Sequence, residues 1–216
     1  MPKVPRVILD YAAAGWPIAP VWPPASSPHR RWIRGRRATH ASACTCPEPS
    51  ACQTPGAHLA GDSITDPARV RNLWADRRWN VALQTGQVVD VIEAGVALGA
   101  QATRVLERQP SPYPPVAHTA TGRWLFVVQV CTKPPELPER AIWHGAGAGV
   151  LVPPSREASG RDQWVWGPKH TKPSPASRVV AALQAVELND WEVGADDFPE
   201  RDDRRPLGPM PTGATE

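Results

Sequence analysis

Two stretches, Gln87-Val-Val-Asp-Val-Ile92 and Leu125-Phe-Val-Val-Gln-Val130, decide the fold of this 216-residue chain. Both are short runs of β-branched and apolar residues, which is typical of strands that are buried on both faces. Further strands are predicted at 80–83, 149–152 and 163–166. Because the later strands follow one another without an intervening helix, the pattern predicts an α+β fold with a mostly antiparallel sheet.

Helices are predicted between and around these strands, over 4–14, from Pro67, over 96–108 and after Pro175. Thr65-Asp66-Pro67 supplies a capping residue followed by proline at the first helical position. Ser174 is predicted to cap the last helix, which carries an apolar stripe. By contrast, residues 17–62 show little hydrophobic periodicity and are predicted to be irregular, either functional, disordered or organised by something else.

The composition excludes several classes of protein. The 27 prolines and 16 glycines together are about one residue in five, which argues against a compact helical bundle. No apolar run approaches the roughly 18–20 residues of a membrane span. Asp10, Gly15 and Pro17 interrupt the apolar N-terminal segment, so no secretory signal is predicted. We therefore expect a cytoplasmic protein without membrane contact, whose cysteines are thiols or metal ligands.

The net charge of +3 conceals a gradient along the chain. Residues 1–60 carry seven Lys/Arg and two Asp/Glu, whereas the last thirty carry three and nine. Residues 187–216 are predicted to form an acidic, mostly disordered tail. The densest basic segment includes an indole and fits phosphate contact and base stacking, although a solvated loop or a partner for the tail are alternatives. Its arginines are Arg30, Arg31, Arg34, Arg36 and Arg37.

Three of the four cysteines fall in one loop with a histidine, in the pattern C-x-C-x5-C-x5-H. These candidate ligands are Cys44, Cys46, Cys52 and His58. Four such ligands match the tetrahedral coordination of structural zinc, which would also supply folding free energy to a loop-rich segment. The alternative is three reduced thiols and a surface histidine. Cys131 stands alone after a strand and is predicted to be a small core residue.

The chain resembles the N-terminal primase–polymerase (Prim-Pol) domain of bifunctional DNA primase/polymerases, in the archaeo-eukaryotic primase superfamily. The resemblance runs from about residue 5 to 170 and implies an RRM-like antiparallel sheet with packed helices and an inserted zinc-knuckle loop at about 40–60, in a domain over 1–186. The motifs that carry it, in order, are Tyr11–Pro20, the cysteine loop ending in Pro55-Gly56-Ala57-His58, Thr65-Asp66-Pro67, Asn80–Gly86 and Gly149–Ser155 with Ser159-Gly160 and Trp164.

The resemblance also implies nucleotide addition with two Mg or Mn ions that carboxylates hold. The family supplies Asp-x-Asp on a strand, and a histidine and a third Asp from later strands. Asp90 matches the first position, but Ile92 stands at the second, and Glu93 would point to the opposite face of a regular strand. Trp124 and Ile142 stand at the positions of the histidine and the third Asp. One family carboxylate of three remains.

These observations favour a stand-alone, degenerate Prim-Pol-like domain that binds nucleic acid or nucleotide with weak or absent polymerase activity. Arg123 is a candidate phosphate contact, and Trp124, Trp143, Trp164 and Trp166 either fill the old active-site cavity or stack bases. One alternative is an active primase/polymerase that recruits Glu93, a tail carboxylate or a partner's acids. A second is a zinc-stabilised protein-interaction module. The expected partners are DNA or nucleotide and a replication or helicase protein.

Overall fold

The computed structural model describes residues 4–25, 32–33, 36–37, 44–49, 52, 56–110, 112–157, 159–169 and 171–190. Within them the predicted α+β class is confirmed, with four helices and strands whose ladders are antiparallel. The helices are α1 Arg6–Ala13, α2 Pro67–Asp76, α3 Val96–Glu107 and α4 Ala176–Asp190. The strands are β1 Ile18–Val21, β2 Trp32–Ile33, β3 Arg36–Arg37, β4 Asn80–Gln84, β5 Val89–Ala94, β6 Val116–His118, β7 Trp124–Gln129, β8 Ala141–His144, β9 Gly149–Val152, β10 Arg156–Glu157, β11 Gly160–Arg161 and β12 Gln163–Trp166.

The main sheet has five strands in the order β12-β6-β7-β5-β8, and its centre is made of the two stretches that decide the fold. The chain passes from β5 through α3 to β6, and then returns along β7 between them. This split β-α-β arrangement is that of ferredoxin-like folds, to which RRM-like sheets are similar. A second sheet has the order β1-β4-β9.

The main sheet is covered on both faces, as the alternation of side chains along its central strands requires. Ile92, Phe126 and Val128 share one core with α3 and α4. Val91 and Val127 share a second core with α1, α2 and the three-stranded sheet. We call these the helix face and the inter-sheet face of the main sheet.

Local signals place α2 as the sequence predicts. The Asp66 side chain accepts a hydrogen bond of 2.7 Å from the Arg69 backbone N–H, and Pro67 occupies the first helical position. For α4 the predicted cap is wrong, since the buried Ser174 hydroxyl has no hydrogen-bond partner among the described residues. The apolar stripe with Val179 and Leu183 holds this helix on the sheet instead.

The prediction of irregular structure over 17–62 is wrong at its start. Residues 18–21 form β1, a fully buried strand paired with β4. Pro20 argues against a strand in the sequence, because proline has no N–H to donate to a neighbouring strand. However, β1 is at the edge of its sheet, where a missing N–H is tolerated. At the other end of the chain, residues 191–216 of the predicted tail lie outside the described residues. Among those that are described, no helix is both long and apolar enough to cross a membrane.

Candidate functional site

The structure brings the four predicted metal ligands together, and we call Cys44, Cys46, Cys52 and His58 the CCCH cluster. Their ligand atoms all lie within 4.8 Å of one another. The Cys52 and Cys44 sulfurs are 3.3 Å and 3.7 Å from His58 Nδ1. A tetrahedral zinc ion separates its sulfur and nitrogen ligands by about 3.5–3.8 Å. The donor set and its spacing therefore fit zinc.

Strand β1 anchors both ends of the loop that carries the CCCH cluster. Past the strand, Pro24 bridges to Cys44, and the Trp22 N–H donates to the His58 carbonyl at 3.1 Å. Gly56 packs so closely on Pro24 that an added Cβ would lie 2.8 Å from the proline Cδ, and its φ of +84° also favours glycine. The loop thus folds back on a buried strand, which places its first and last ligands side by side.

Backbone donors prepare one of these thiols for a metal. Burial raises the pKa of the Cys44 thiol, but hydrogen bonds from the backbone of Gly56 and Cys46 favour the thiolate and leave this pKa below its usual value. The pKa of Cys46 is raised, by burial first and then by the neighbouring Cys44. Because zinc binds thiolates, the backbone donors act in favour of metal binding.

A second polar group lies on the inter-sheet face at one end of β5, and we call Glu93, Arg123 and His144 the Glu93 group. Glu93 Oε1 accepts a hydrogen bond of 2.6 Å from Arg123 Nε, and Oε2 is 2.8 Å from His144 Nε2. The three side chains are 21%, 33% and 25% exposed, so the group is open to solvent. The hydrogen bond with His144, and then Arg123, hold the pKa of Glu93 below its ordinary value despite partial burial.

On β5 and β8, Glu93 is the one carboxylate that points to the inter-sheet face. Val91 precedes it by two residues on the same face and is fully buried. Ile142, which stands at the position of the family's third Asp, is directly opposite Glu93 on β8 and is 50% exposed. From β5 and β8 a metal ion at this face would gain one carboxylate, and both of its oxygens are already hydrogen-bonded, to Arg123 and to His144.

Asp90 lies on the other side of the main sheet. Its side chain is fully buried on the helix face, where Oδ2 accepts a hydrogen bond of 2.8 Å from the Cys131 backbone N–H. Oδ1 has no partner among the described residues. Because side chains alternate along a strand, Asp90 and Glu93 point to opposite faces, so they do not meet at one metal. The position of Asp90 is that of a capping residue at the end of a strand.

Trp124 and Trp143 lie on the helix face and not at the Glu93 group. Both pack against the core of the helix face. Gly99 of α3 approaches Trp124 so closely that an added Cβ would lie 2.4 Å from the tryptophan Cβ. The indole therefore fills the contact between β7 and α3. The alignment with the family's histidine did not reveal which face this position occupies.

The two later tryptophans also have structural contacts. Trp164 packs between the sheets, and its Nε1 donates to the Tyr11 hydroxyl at 2.7 Å. That hydroxyl in turn donates to the Pro153 carbonyl. Trp166 stacks on Tyr113 with ring centroids 4.8 Å apart. These contacts account for both indoles without a bound base.

Sequence reasoning missed a pair of carboxyl groups on the β10–β11 hairpin. Asp162 is buried, and its Oδ1 accepts a hydrogen bond of 3.0 Å from the Ala120 N–H. Burial, and then the Asp162 carboxyl, raise the pKa of Glu157 to about 7, with a smaller contribution from Glu93. Because two adjacent carboxylates repel each other, the pair retains one proton near neutral pH. The signal in the sequence is two acids that flank the Ser159-Gly160 turn.

The motifs that carry the family resemblance contain side chains that join separate segments by hydrogen bonds. Asn80 is buried and its Nδ2 donates to the carbonyls of Gly56 at 3.1 Å and Arg156 at 2.8 Å. The Ser155 hydroxyl donates to the Val81 carbonyl at 3.2 Å and accepts from its N–H at 3.0 Å. These bonds join the end of the metal loop, β4 and the β10–β11 hairpin.

Three of the five arginines in the predicted basic cluster, Arg30, Arg31 and Arg34, lie outside the described residues. Arg36 and Arg37 form β3, which pairs with β2 in a short hairpin.

Comparison with known proteins relates this geometry to one family. The model described as "Bifunctional DNA primase/polymerase, N-terminal" matches residues 8–182. The matched range contains the CCCH cluster, the Glu93 group, the main sheet and the three-stranded sheet. No curated protein matches the chain.

Proposed function

Because the chain belongs to the family of bifunctional DNA primase/polymerase N-terminal (Prim-Pol) domains, we propose that it binds nucleic acid or nucleotide and has weak or absent polymerase activity. One observation carries the second half of this proposal. The single carboxylate that β5 and β8 offer to the inter-sheet face, Glu93, is bound by Arg123 and His144 through both of its oxygens.

Two-metal nucleotidyl transfer needs several carboxylate oxygens, which hold both ions against the triphosphate and the attacking hydroxyl. A metal at Glu93 must displace Arg123 and His144, and it gains no second carboxylate from Val91 or Ile142. Asp90 remains on the helix face. The inter-sheet face therefore favours an anion over a pair of divalent cations.

Nucleotide binding would use the two hydrogen-bond partners of Glu93, Arg123 and His144. Arg123 presents a planar set of donors that matches phosphate oxygens, and charge-assisted hydrogen bonds of this kind are among the stronger polar contacts. His144 adds a second donor on the same side. In this proposal a phosphate group takes the place of the Glu93 carboxylate as the partner of Arg123.

The CCCH cluster is proposed to hold one structural zinc ion. All four positions of a tetrahedral ion are filled by protein, which is the arrangement of structural rather than catalytic zinc. When bound, the ion cross-links the loop, and Cys44 and His58 then join its two ends. The cross-link thereby also holds the loop against the residues that follow strand β1.

The nucleotide site is tested by titrating the full chain with a deoxynucleoside triphosphate in calorimetry. Arg123→Ala is expected to weaken binding roughly tenfold, because a charge-assisted phosphate contact is lost. Arg108→Ala removes the same charge from an exposed position on another surface and should bind as the wild type does. Equal affinity of the wild type and Arg123→Ala would refute the role of Arg123. Absence of both nucleotide and oligonucleotide binding would leave the protein-interaction module as the surviving interpretation.

One observation favours the alternative of an active enzyme with a rearranged metal site. Glu157, which is paired with Asp162, lies near enough to Glu93 for the charge of Glu93 to act on the pKa of Glu157. Under this alternative the three carboxyl groups together bind Mn²⁺ or Mg²⁺. Primer extension that is lost in both Glu93→Gln and Glu157→Gln, but kept in Glu139→Gln, would establish it.

A further inference from the structure

A surface beside the CCCH cluster carries two indoles in contact. Trp22 follows β1 and Trp79 precedes β4, and the last residues of the ladder between these strands are Val21 and Asn80. Continuing the same register by one residue pairs Trp22 with Trp79. Their ring centroids are 4.8 Å apart, edge to face at 73°. Pairing of the strands therefore fixes both rings.

The guanidinium of Arg77 lies over both rings. Its Cζ is 5.1 Å from the Trp22 ring centroid and 5.0 Å from that of Trp79. The residue ends α2 in an extended conformation, and its carbonyl accepts a hydrogen bond of 3.1 Å from the Trp79 N–H. Arg77 is exposed, and no carboxylate in the described part of the chain lies within ion-pair distance of it. We call these three residues the Trp22–Arg77–Trp79 platform.

The helix that leads to the platform is basic. Arg69, Arg71 and Arg78 are exposed on α2 and just after it. Two aspartates share this segment: Asp66 is engaged at the helix cap, and Asp76 is exposed beside Arg77. A partner that contacts the platform and α2 thus meets excess positive charge next to a partly aromatic surface.

We propose that the Trp22–Arg77–Trp79 platform docks single-stranded nucleic acid. A base stacks on the exposed side of the Arg77 guanidinium, whose other side contacts the two indoles, and arginines on α2 and just after it contact phosphates. Single strands expose the faces of their bases, and sequence-tolerant binding to them combines such stacking with a basic groove. The inference rests on the proposed nucleic-acid binding, but it places the strand on a surface that includes no member of the Glu93 group.

The platform is tied to the CCCH cluster through the backbone. Trp22 donates to the carbonyl of the ligand residue His58, and Asn80, next to Trp79, donates to the carbonyl of Gly56. Without a metal ion, His58 would no longer be held to the other three ligands, and both of these hydrogen bonds would loosen. Removal of metal should therefore weaken oligonucleotide binding at the platform, which a purely electrostatic surface would not show.

The test is fluorescence anisotropy with a labelled oligo-dT of about 15 nucleotides and a duplex of the same length, on the full chain at low salt. Trp22→Leu keeps an apolar side chain and Arg77→Lys keeps the charge, but both remove a stacking surface. Each should weaken single-strand binding roughly five- to tenfold. Arg108→Lys, the matched control just after α3, should bind as the wild type does. The duplex should bind more weakly than the single strand.

Wild-type affinity in Arg77→Lys would overturn the platform, and because Arg77 is exposed this variant keeps the fold even if Trp22→Leu does not. Equal binding of duplex and single strand would likewise overturn it and leave phosphate attraction alone. A wild-type chain that binds no oligonucleotide would also overturn it. That failure is distinct from failure of the nucleotide site, which the triphosphate titration of Arg123→Ala measures separately.

Discussion

The CCCH cluster and the Glu93 group are both made of residues that bind metals, but their side chains are engaged differently. In the CCCH cluster, four ligand atoms point at one another within 4.8 Å, and backbone donors favour the thiolate of Cys44. In the Glu93 group, each carboxylate oxygen is already hydrogen-bonded, one to Arg123 and the other to His144. Similar residue types thus have different partners in the two clusters. We propose for this reason that the CCCH cluster binds a cation and the Glu93 group an anion.

The largest effect is expected at the CCCH cluster. Cys46→Ser removes a ligand and should lower the zinc content from about one ion per chain to a small fraction. The free energy of unfolding should fall by on the order of 3 kcal/mol, because metal binding and folding of the loop are coupled. Metal analysis and urea unfolding of untagged protein measure both. Cys131→Ser is the control, and equal zinc content in the two variants would refute the ligand assignment.

Next in size is a pH effect at the hairpin beside the Glu93 group. The pKa of Glu157 is raised in the folded protein from 4.5 to about 7, so the folded state binds more protons between these values. Stability attributed to this residue therefore falls as the pH rises through that window. Glu157→Gln removes the charge but keeps a hydrogen-bonding group beside Asp162. After allowance for partial exposure, it should stabilise the protein by about 1 kcal/mol at pH 8 and hardly at all at pH 4.

Thermal unfolding of Glu157→Gln at the two pH values checks this prediction, with the exposed Glu139→Gln as its control. A variant that is no more stable than the wild type at pH 8 would show that the two carboxyl groups do not share a proton.

Several of these features follow from local sequence signals, and others do not. The strands at 87–92 and 125–130 and the Asp66 cap are each encoded within a few residues, and the CCCH cluster lies within fifteen, so pattern and spacing predict that these residues come together. The Glu93 group joins residues 93, 123 and 144 from three strands, and their meeting depends on sheet order. The side of the sheet that Asp90 and Trp124 occupy depends on where α3 and α4 pack, which alternation alone does not specify.

An effect of similar size is expected from breaking the contacts of Glu93 with Arg123 and His144. Because its pKa is lowered from 4.5 in the folded protein, Glu93 adds stability above that value, and this is lost as the pH falls through the folded pKa. Glu93→Gln should therefore cost about 1 kcal/mol at pH 7 and progressively less below pH 4. Urea unfolding at both pH values measures it, with exposed Glu136→Gln as control. A cost that is independent of pH would contradict the ion pairs.

The smallest effect distinguishes an anion site from a metal site. Glu93→Gln removes the charge that competes with phosphate for Arg123, so triphosphate binding in the absence of metal should tighten roughly two- to fivefold. If Glu93 instead held a divalent ion, the variant would bind the metal–triphosphate complex more weakly. Calorimetry with and without Mn²⁺ separates these results.

The most direct test of the central claim, that this Prim-Pol domain keeps its binding surfaces without a working two-metal centre, is primer extension by the wild-type chain. The assay is run with Mg²⁺ and with Mn²⁺, on a primer–template whose single-stranded overhang is saturated with protein. We expect that the protein binds the primer–template and extends the primer weakly or not at all. Robust extension with either ion, abolished by Glu93→Gln, would contradict it.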